Sequence, residues 1–282
     1  MADGRTLQNL RRRAAGLPLP SNQRAAASRP DVRILARDPS SKDLYALAQC
    51  FCAIYGSSEP ALDGESIWGE GWRCGWCAAE RPMDKSGPCA SCGAKERTAV
   101  NDLAATRSAL AQALKPRPDW QPVACVLTRG EQLTGFAFGA VTTKARAVAH
   151  LGKKLREYST ELASCGVDLA HLDLRATLPA HSPVFYMDEL CVERDARSGI
   201  ESLQGLAAVL FAGAAELGAR GLVGFTSRRA APLQLITPGG GELALDLGEL
   251  VVFRMEDFLP LATLLHHLSS DELISLLAQA PM

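Results

Sequence analysis

The sequence predicts an α+β fold in which a mixed, mostly antiparallel central sheet is flanked by helices and interrupted by a small inserted subdomain. Three observations carry this reading. Residues 120–128 and 132–142 alternate as two strands around Arg129-Gly130-Glu131, the pattern of an antiparallel hairpin. Val184 to Asp195 reads as a long strand, followed by a helix with a continuous apolar stripe and a short buried strand at Gly221 to Thr226. Gly56 to Arg97 departs from the surrounding composition and contains CGWCAAERPMDKSGPCASCG at residues 74–93.

In chain order, Asp31 to Asp38 (DVRILARD) is a first strand, and Pro39 to Asp43 caps a helix running to about Tyr55 with Leu44, Leu47, Ala48 and Phe51 on one face. After the insertion, Asn101 to Lys115 carries Leu103, Ala104, Leu110 and Leu114 at helical spacing and ends at Pro116 and Pro118. Beyond the hairpin, Lys144 to Ala163 is helical, with Lys153, Lys154, Arg156 and Glu157 read as a solvated face. Irregular sequence leads to the long strand. Ile200 to Gly218 is an amphipathic helix packed on a sheet, with Ile200, Leu203, Ala207, Leu210, Ala214 and Leu217 forming its stripe. Arg229 to Ile236 gives a helical turn or two, and Glu242 to Arg254 a strand pair turning near Asp246-Leu247-Gly248. The tail from Glu256 to Gln279 holds two short helices, the second capped at Ser269 or Ser270. His266 and His267 are adjacent, point to different sides of a helix, and read as packing or solvent positions.

The insertion has the clearest chemistry. Cys74, Cys77, Cys89 and Cys92 form two Cys-x-x-Cys pairs, and two intervening residues let both sulfurs of a pair face one point, as a tetrahedral ion requires. Zn²⁺ is the first expectation, and iron in a rubredoxin-like site the second, since geometry alone does not separate them. A redox dithiol is the main competitor, and two matched pairs argue against it. Four thiolates leave no open position for water, so the expected metal is structural. Gly75 and Gly93 follow ligands, and Lys85 to Pro88 is turn chemistry, as in a small zinc ribbon. Trp68, Trp72 and Trp76 with Arg73, Arg81 and Lys85 form either a mini-core or a surface that stacks on bases or docks a protein. Glu65, Glu70 and Glu80 dilute its charge.

With 30 basic against 31 acidic residues among 282, no global field favours nucleic acid or a membrane, so any such contact must be local. Cys50, Cys52, Cys125, Cys165 and Cys191 lie in apolar surroundings and read as buried thiols of a reducing cytoplasm. No apolar run approaches a membrane span. Residues 1–30 read as a mobile basic arm that could touch RNA or an acidic partner; a transit peptide has similar composition. The expected division is therefore an arm at 1–30, a main domain at 31–254 with the ribbon at 57–97, and a helical extension at 255–282.

Three segments carry a resemblance to a known family. They are LTGFAFG at 133–139, DELCVERDARSGIESLQGLAAVL at 188–210, and GLVGFTS at 221–227 followed by RRAAPLQLI. Together with the element order, they resemble the third strand, the fourth strand with its pyrophosphate loop and helix, and the fifth strand of the GCN5-related N-acetyltransferase (GNAT) superfamily. The resemblance spans residues 31–254 apart from the ribbon and the charged helical insertion. Independently of the family, a strand leading through Arg197-Ser198-Gly199 to a helix starting at Ile200 presents unpaired N–H groups suited to a diphosphate. The resemblance implies acetyl-CoA as co-substrate and an amine acceptor, either small or on a protein or other macromolecule. It places Arg197, Ser198, Gly199 and Ile200 at the cofactor and the amide of Cys191 or Val192 on the thioester carbonyl. Glu189 becomes the base, or Asp188 if the register slips. Where the family usually shows glycine twice, this chain reads Arg-Ser-Gly-Ile-Glu-Ser, and the helix after the fifth strand has no tyrosine to serve as the acid; Tyr186 is a substitute. The other reading is a GNAT-like scaffold without activity that binds nucleic acid or a protein partner through the ribbon and arm.

Overall fold

The computed structural model describes residues 12–56, 72–74, 88–89, 92–95, 97–99, 102–192, 200–228, 236–237, 239–248 and 250–278. Its elements are α1 (Asn22–Ala27), β1 (Val32–Ile34), α2 (Ser41–Gly56), β2 (Trp72–Cys74), β3 (Arg97–Ala99), α3 (Leu103–Ala113), β4 (Trp120–Arg129), β5 (Gln132–Thr142), α4 (Lys144–Glu157), α5 (Ser159–Ser164), β6 (Val184–Val192), α6 (Ile200–Glu216), β7 (Gly221–Ser227), β8 (Glu242–Leu247), β9 (Leu250–Met255), α7 (Leu259–His267) and α8 (Ser270–Ala278).

Seven strands form one sheet in the order β1-β4-β5-β6-β7-β9-β8, and β2 and β3 pair separately. Every pairing is antiparallel except β6 with β7. This parallel pair requires a crossover, and α6 supplies it. The β4–β5 hairpin turns through Gly130 at φ +62°, a conformation glycine adopts without penalty.

One face of the sheet is covered by α6, with α1, α7 and α8 around it. Phe185, Met187, Leu190 and Val192 from β6 meet Leu206, Leu210 and Phe211 there, all buried. Burying a side chain of this size contributes roughly 1.5–3 kcal/mol. The opposite face is divided. Over one half, α4 covers Trp120, Ala140, Tyr186 and Val223. Over the other, α2 and α3 cover Val126, Phe136 and Phe138, with Cys191 packed against that cluster. The two halves meet above β6.

Caps follow local chemistry. Asp102 accepts from the Ala105 amide at the start of α3, and Thr143 from Arg146 at the start of α4. Ser269 and Glu272 exchange hydrogen bonds at the start of α8, a capping box.

Several expectations are corrected. The first strand is only Val32–Ile34, because it pairs with Leu127, Val126 and Cys125 alone. Within the stretch read as an arm, Asn22–Ala27 is a helix capped by Ser21, and Ala25 is fully buried against α6. The charged helix ends at Glu157, with α5 following as a separate turn. Among the described residues, no helix is long and apolar enough to cross a membrane.

Candidate active site

A bulge in β6 creates the site. Phe138 pairs with Glu189 and the next residue, Gly139, pairs with Met187, so Asp188 is an extra residue with nothing opposite it. Regular alternation would send Asp188 and Glu189 to opposite faces. The bulge instead turns both carboxylates to the divided face, between Tyr186 on the α4 side and Cys191 on the α2 side. Leu190 and Val192 keep to the other face. Gly139 makes the irregularity possible, since a Cβ there would collide with the Tyr186 carbonyl and the Phe185 ring.

Each carboxylate is held by a different helix. Tyr55, in the last turn of α2, donates a 2.6 Å hydrogen bond to Glu189. Phe51 fixes the phenol from one turn earlier, its ring centroid 4.5 Å from Tyr55 and 5.7 Å from Phe136. Burial pushes Glu189 up to about 7, aided by the Asp188 charge and opposed by Lys154 and by the Tyr55 hydrogen bond. Burial and the neighbouring Cys191 and Glu189 raise Tyr55 well above the phenol range, so it remains a donor.

Asp188 faces α4. His150 Nε2 lies 3.5 Å from Asp188 Oδ2 and Lys154 Nζ 3.5 Å from Oδ1, these two residues being one helical turn apart and thus on one side of α4. Burial opposes the Asp188 charge, but Lys154 and His150 outweigh it and hold the acid below the ordinary carboxylate range. Burial likewise works against the Lys154 charge, and Asp188, Glu189, Glu157 and Tyr158 overcome it, so its pKa is raised. The His150 ring lies between Trp120, at 4.8 Å, and Tyr186, at 4.7 Å edge-on. A carboxylate kept ionised beside one that titrates near neutrality is an acid–base pair divided by environment.

The sheet opens beside this pair. β6 and β7 hold parallel register only over Val184–Met187 and Gly221–Gly224. Farther on, β7 stays paired with β9 and β6 with β5, and not with each other. The Asp188 side chain is 4% exposed, although the residue as a whole is only partly buried, so its exposure is carried by backbone at the opening.

Of the residues expected at the site, Asp188 and Glu189 are brought together, and Cys191 and Val192 lie on the stretch of β6 beyond the parallel register. Ile200 opens α6. Arg197, Ser198 and Gly199 lie outside the described residues, as does Cys77. In the segment expected to form a ribbon, Cys74 sits on β2 opposite Arg97, Cys89 is buried and Cys92 exposed. The Cys89 carbonyl accepts from the Gly93 amide at 2.7 Å, and the Cys89 amide donates to Ala94 at 2.9 Å. Gly93 has φ +72°. This tight turn suits the second half of a thiolate knuckle. Among the described residues, no group of three or more metal-ligating side chains occurs.

Sequence reasoning missed Tyr55, His150, Lys154 and Trp120. Lys154 was placed on a solvated face, yet it turns inward to Asp188 with its side chain 28% exposed. The available signal was the i, i+4 pair of His150 and Lys154 on a helix whose Ala147, Leu151 and Leu155 are buried.

No protein-family profile and no curated protein matches this chain. Among solved structures, it is similar to a chain from Desulfovibrio desulfuricans assigned to the GNAT family as an acetyltransferase, with 13% identity, a TM-score of 0.34, and coverage of 56% of this chain and 83% of that one. So slight a likeness supports neither the fold nor the function.

Proposed function

We infer that the chain is an acetyl-CoA-dependent N-acyltransferase with a GNAT-like fold. The observation that carries this reading is the parting of β6 from β7 immediately beside Glu189. Parallel strands that separate leave backbone groups able to hydrogen-bond an extended thioester arm, much as a sheet edge takes a peptide. Residues 193–199 lead from β6 to the first amides of α6, where a diphosphate would be held by Arg197, Ser198, Gly199 and Ile200.

Glu189 takes a proton from the acceptor ammonium, directly or through water, and the amine attacks the thioester carbon. The amide of Cys191 or Val192 polarises the carbonyl. A C–N bond forms, the C–S bond breaks, and CoA departs as a thiolate that picks up a proton. Asp188 stays ionised throughout. The ribbon takes a structural Zn²⁺ on Cys74, Cys77, Cys89 and Cys92, consistent with the turn at Cys89–Gly93.

Calorimetric titration with acetyl-CoA and CoA tests the reading. Micromolar binding that Gly199→Trp abolishes is expected, together with a Glu189→Gln variant that binds normally and loses roughly 10²–10⁴ in turnover. A folded protein silent to both ligands would sink it.

A further inference from the structure

The short first strand leaves a gap at the edge of the sheet. β1 ends at Ile34, and its last link to β4 is the Leu35 amide donating to the Ala124 carbonyl at 3.0 Å. Among the described residues, Trp120 to Val123 of β4 therefore have no strand on their outer side. A cavity of about 190 Å³ lies there. Leu35, Leu114 and Ala124 line it from the α2 and α3 face of the sheet, and Ile34, Val123 and Leu217 from the α6 face. β5 stands between it and β6, so a ligand in this cavity is separate from the Asp188 and Glu189 pair.

Polar groups of both signs surround the apolar floor. Arg37 and Glu216 are the charged residues of the lining, and Arg37 makes no ion pair among the described residues. Glu216 accepts from the Asn22 amide at 2.9 Å, which brings its carboxylate beside the Asn22 side chain. Asn22 Oδ1 is buried and has no hydrogen-bond partner among the described residues. Gly213 makes room for that side chain: a Cβ there would come within 2.8 Å of Asn22 Nδ2 and 2.6 Å of Val123 Cγ1. A glycine weakens a helix interior, and in α6 its missing side chain is what lets the Asn22 amide reach the cavity wall.

The chemistry of the wall selects the guest. Pro122 lies two residues before Ala124 and so on the same outer edge, where it offers no N–H. A peptide strand laid along β4 would find the ladder interrupted. A purely apolar guest would leave the buried Asn22 oxygen unpaired. An α-amino acid with an aliphatic side chain meets each feature, with donors for Glu216 and Asn22, an acceptor for Arg37, and apolar surface for Leu35, Leu114 and Val123. Size agrees, since a dry cavity of about 150 Å³ holds benzene.

We propose that this cavity binds a free α-amino acid with an aliphatic side chain of about leucine's size, its ammonium held by Glu216 and Asn22 and its carboxylate by Arg37. The site is independent of the transferase reading.

The test titrates L-leucine into the full chain without CoA and follows amide NMR shifts. Glycine, 4-methylpentanoate and 3-methylbutylammonium serve as probes that lack the side chain, the ammonium and the carboxylate respectively. Leucine should saturate, shift the amides of Ala36, Ala124 and Gly213, and bind at least roughly tenfold more tightly than each of the others, which forfeit apolar contact or a charge-assisted hydrogen bond. Arg37→Gln should weaken leucine about tenfold and leave 3-methylbutylammonium unchanged. Glu216→Gln, which can still accept from the Asn22 amide, should weaken leucine by about as much and leave 4-methylpentanoate unchanged. Both residues are exposed, so the variants should keep the parent Tm. The proposal is overturned if leucine does not bind, if it binds no better than the other probes, if the shifts map to β6 instead, or if either variant leaves leucine binding intact. Leucine binding in a chain that is silent to CoA would remove the transferase reading alone.

Discussion

The Tyr55 hydroxyl donates to the Glu189 carboxylate at 2.6 Å, joining residues 134 apart in the chain and fastening the end of α2 to β6. This bond opposes the rise in the Glu189 pKa. Tyr55→Phe should therefore raise that pKa further and move the acidic limb of any rate profile to higher pH. The buried carboxylate would also lose a partner, at a cost of roughly 1–3 kcal/mol. Urea midpoints should show a larger loss at pH 8, where Glu189 is ionised, than at pH 5.

Glu189 makes stability depend on pH in a defined window. From its ordinary 4.5 to about 7, the unfolded chain releases this proton and the folded one retains it, so stability falls as pH rises through the window and levels off above it. Glu189→Gln removes the ionisable group. The variant should gain on the order of 3 kcal/mol relative to the parent at pH 8 and little at pH 4.5, as read by urea unfolding.

Asp188 has the opposite sign. Its carboxyl is held low in the folded chain, so its contribution is present above the ordinary carboxylate pKa and is lost as pH falls through the lowered value. Asp188→Asn should flatten the acid side of the stability curve. It should also lower the Glu189 midpoint in a ¹³C NMR titration, because a repelling charge is gone.

Gly139→Ala tests the bulge. The added methyl meets the Tyr186 carbonyl and the Phe185 ring, and overpacking of this kind costs roughly 1–3 kcal/mol. The Glu189 titration midpoint should shift in the same variant, because the strand that carries the two carboxylates must move.

Cys77→Ser tests the ribbon. Zinc content measured by elemental analysis should fall, and limited proteolysis should first cut within residues 57–97 while the main sheet keeps its melting temperature. Full zinc content with normal resistance would rule out the four-thiolate site.

Much of the fold was legible where local pattern and tertiary fate agree. The hairpin at 120–142 alternates around a glycine turn, and the stripe from Ile200 to Leu217 announces a helix on a sheet. The candidate site was legible only in part. Asp188 and Glu189 stand out as adjacent acids, but regular alternation alone would send them to opposite faces. The bulge that unites them is set by the absence of a side chain at Gly139, across the ladder. Lys154 looked like one of several solvent charges because its partner lies more than thirty residues away in sequence. Tyr55 ended an apolar helix, and nothing local marked its hydroxyl as a donor to a distant acid.

Thr142 and Val184 are paired neighbours on adjacent strands, so the excursion 143–183 leaves and rejoins the sheet at a single point. A tight turn could bridge that gap, since closing a shorter loop costs less entropy. A deletion there would remove both basic side chains that face Asp188 and would also bare Trp120, Ala140, Tyr186 and Val223, which α4 covers.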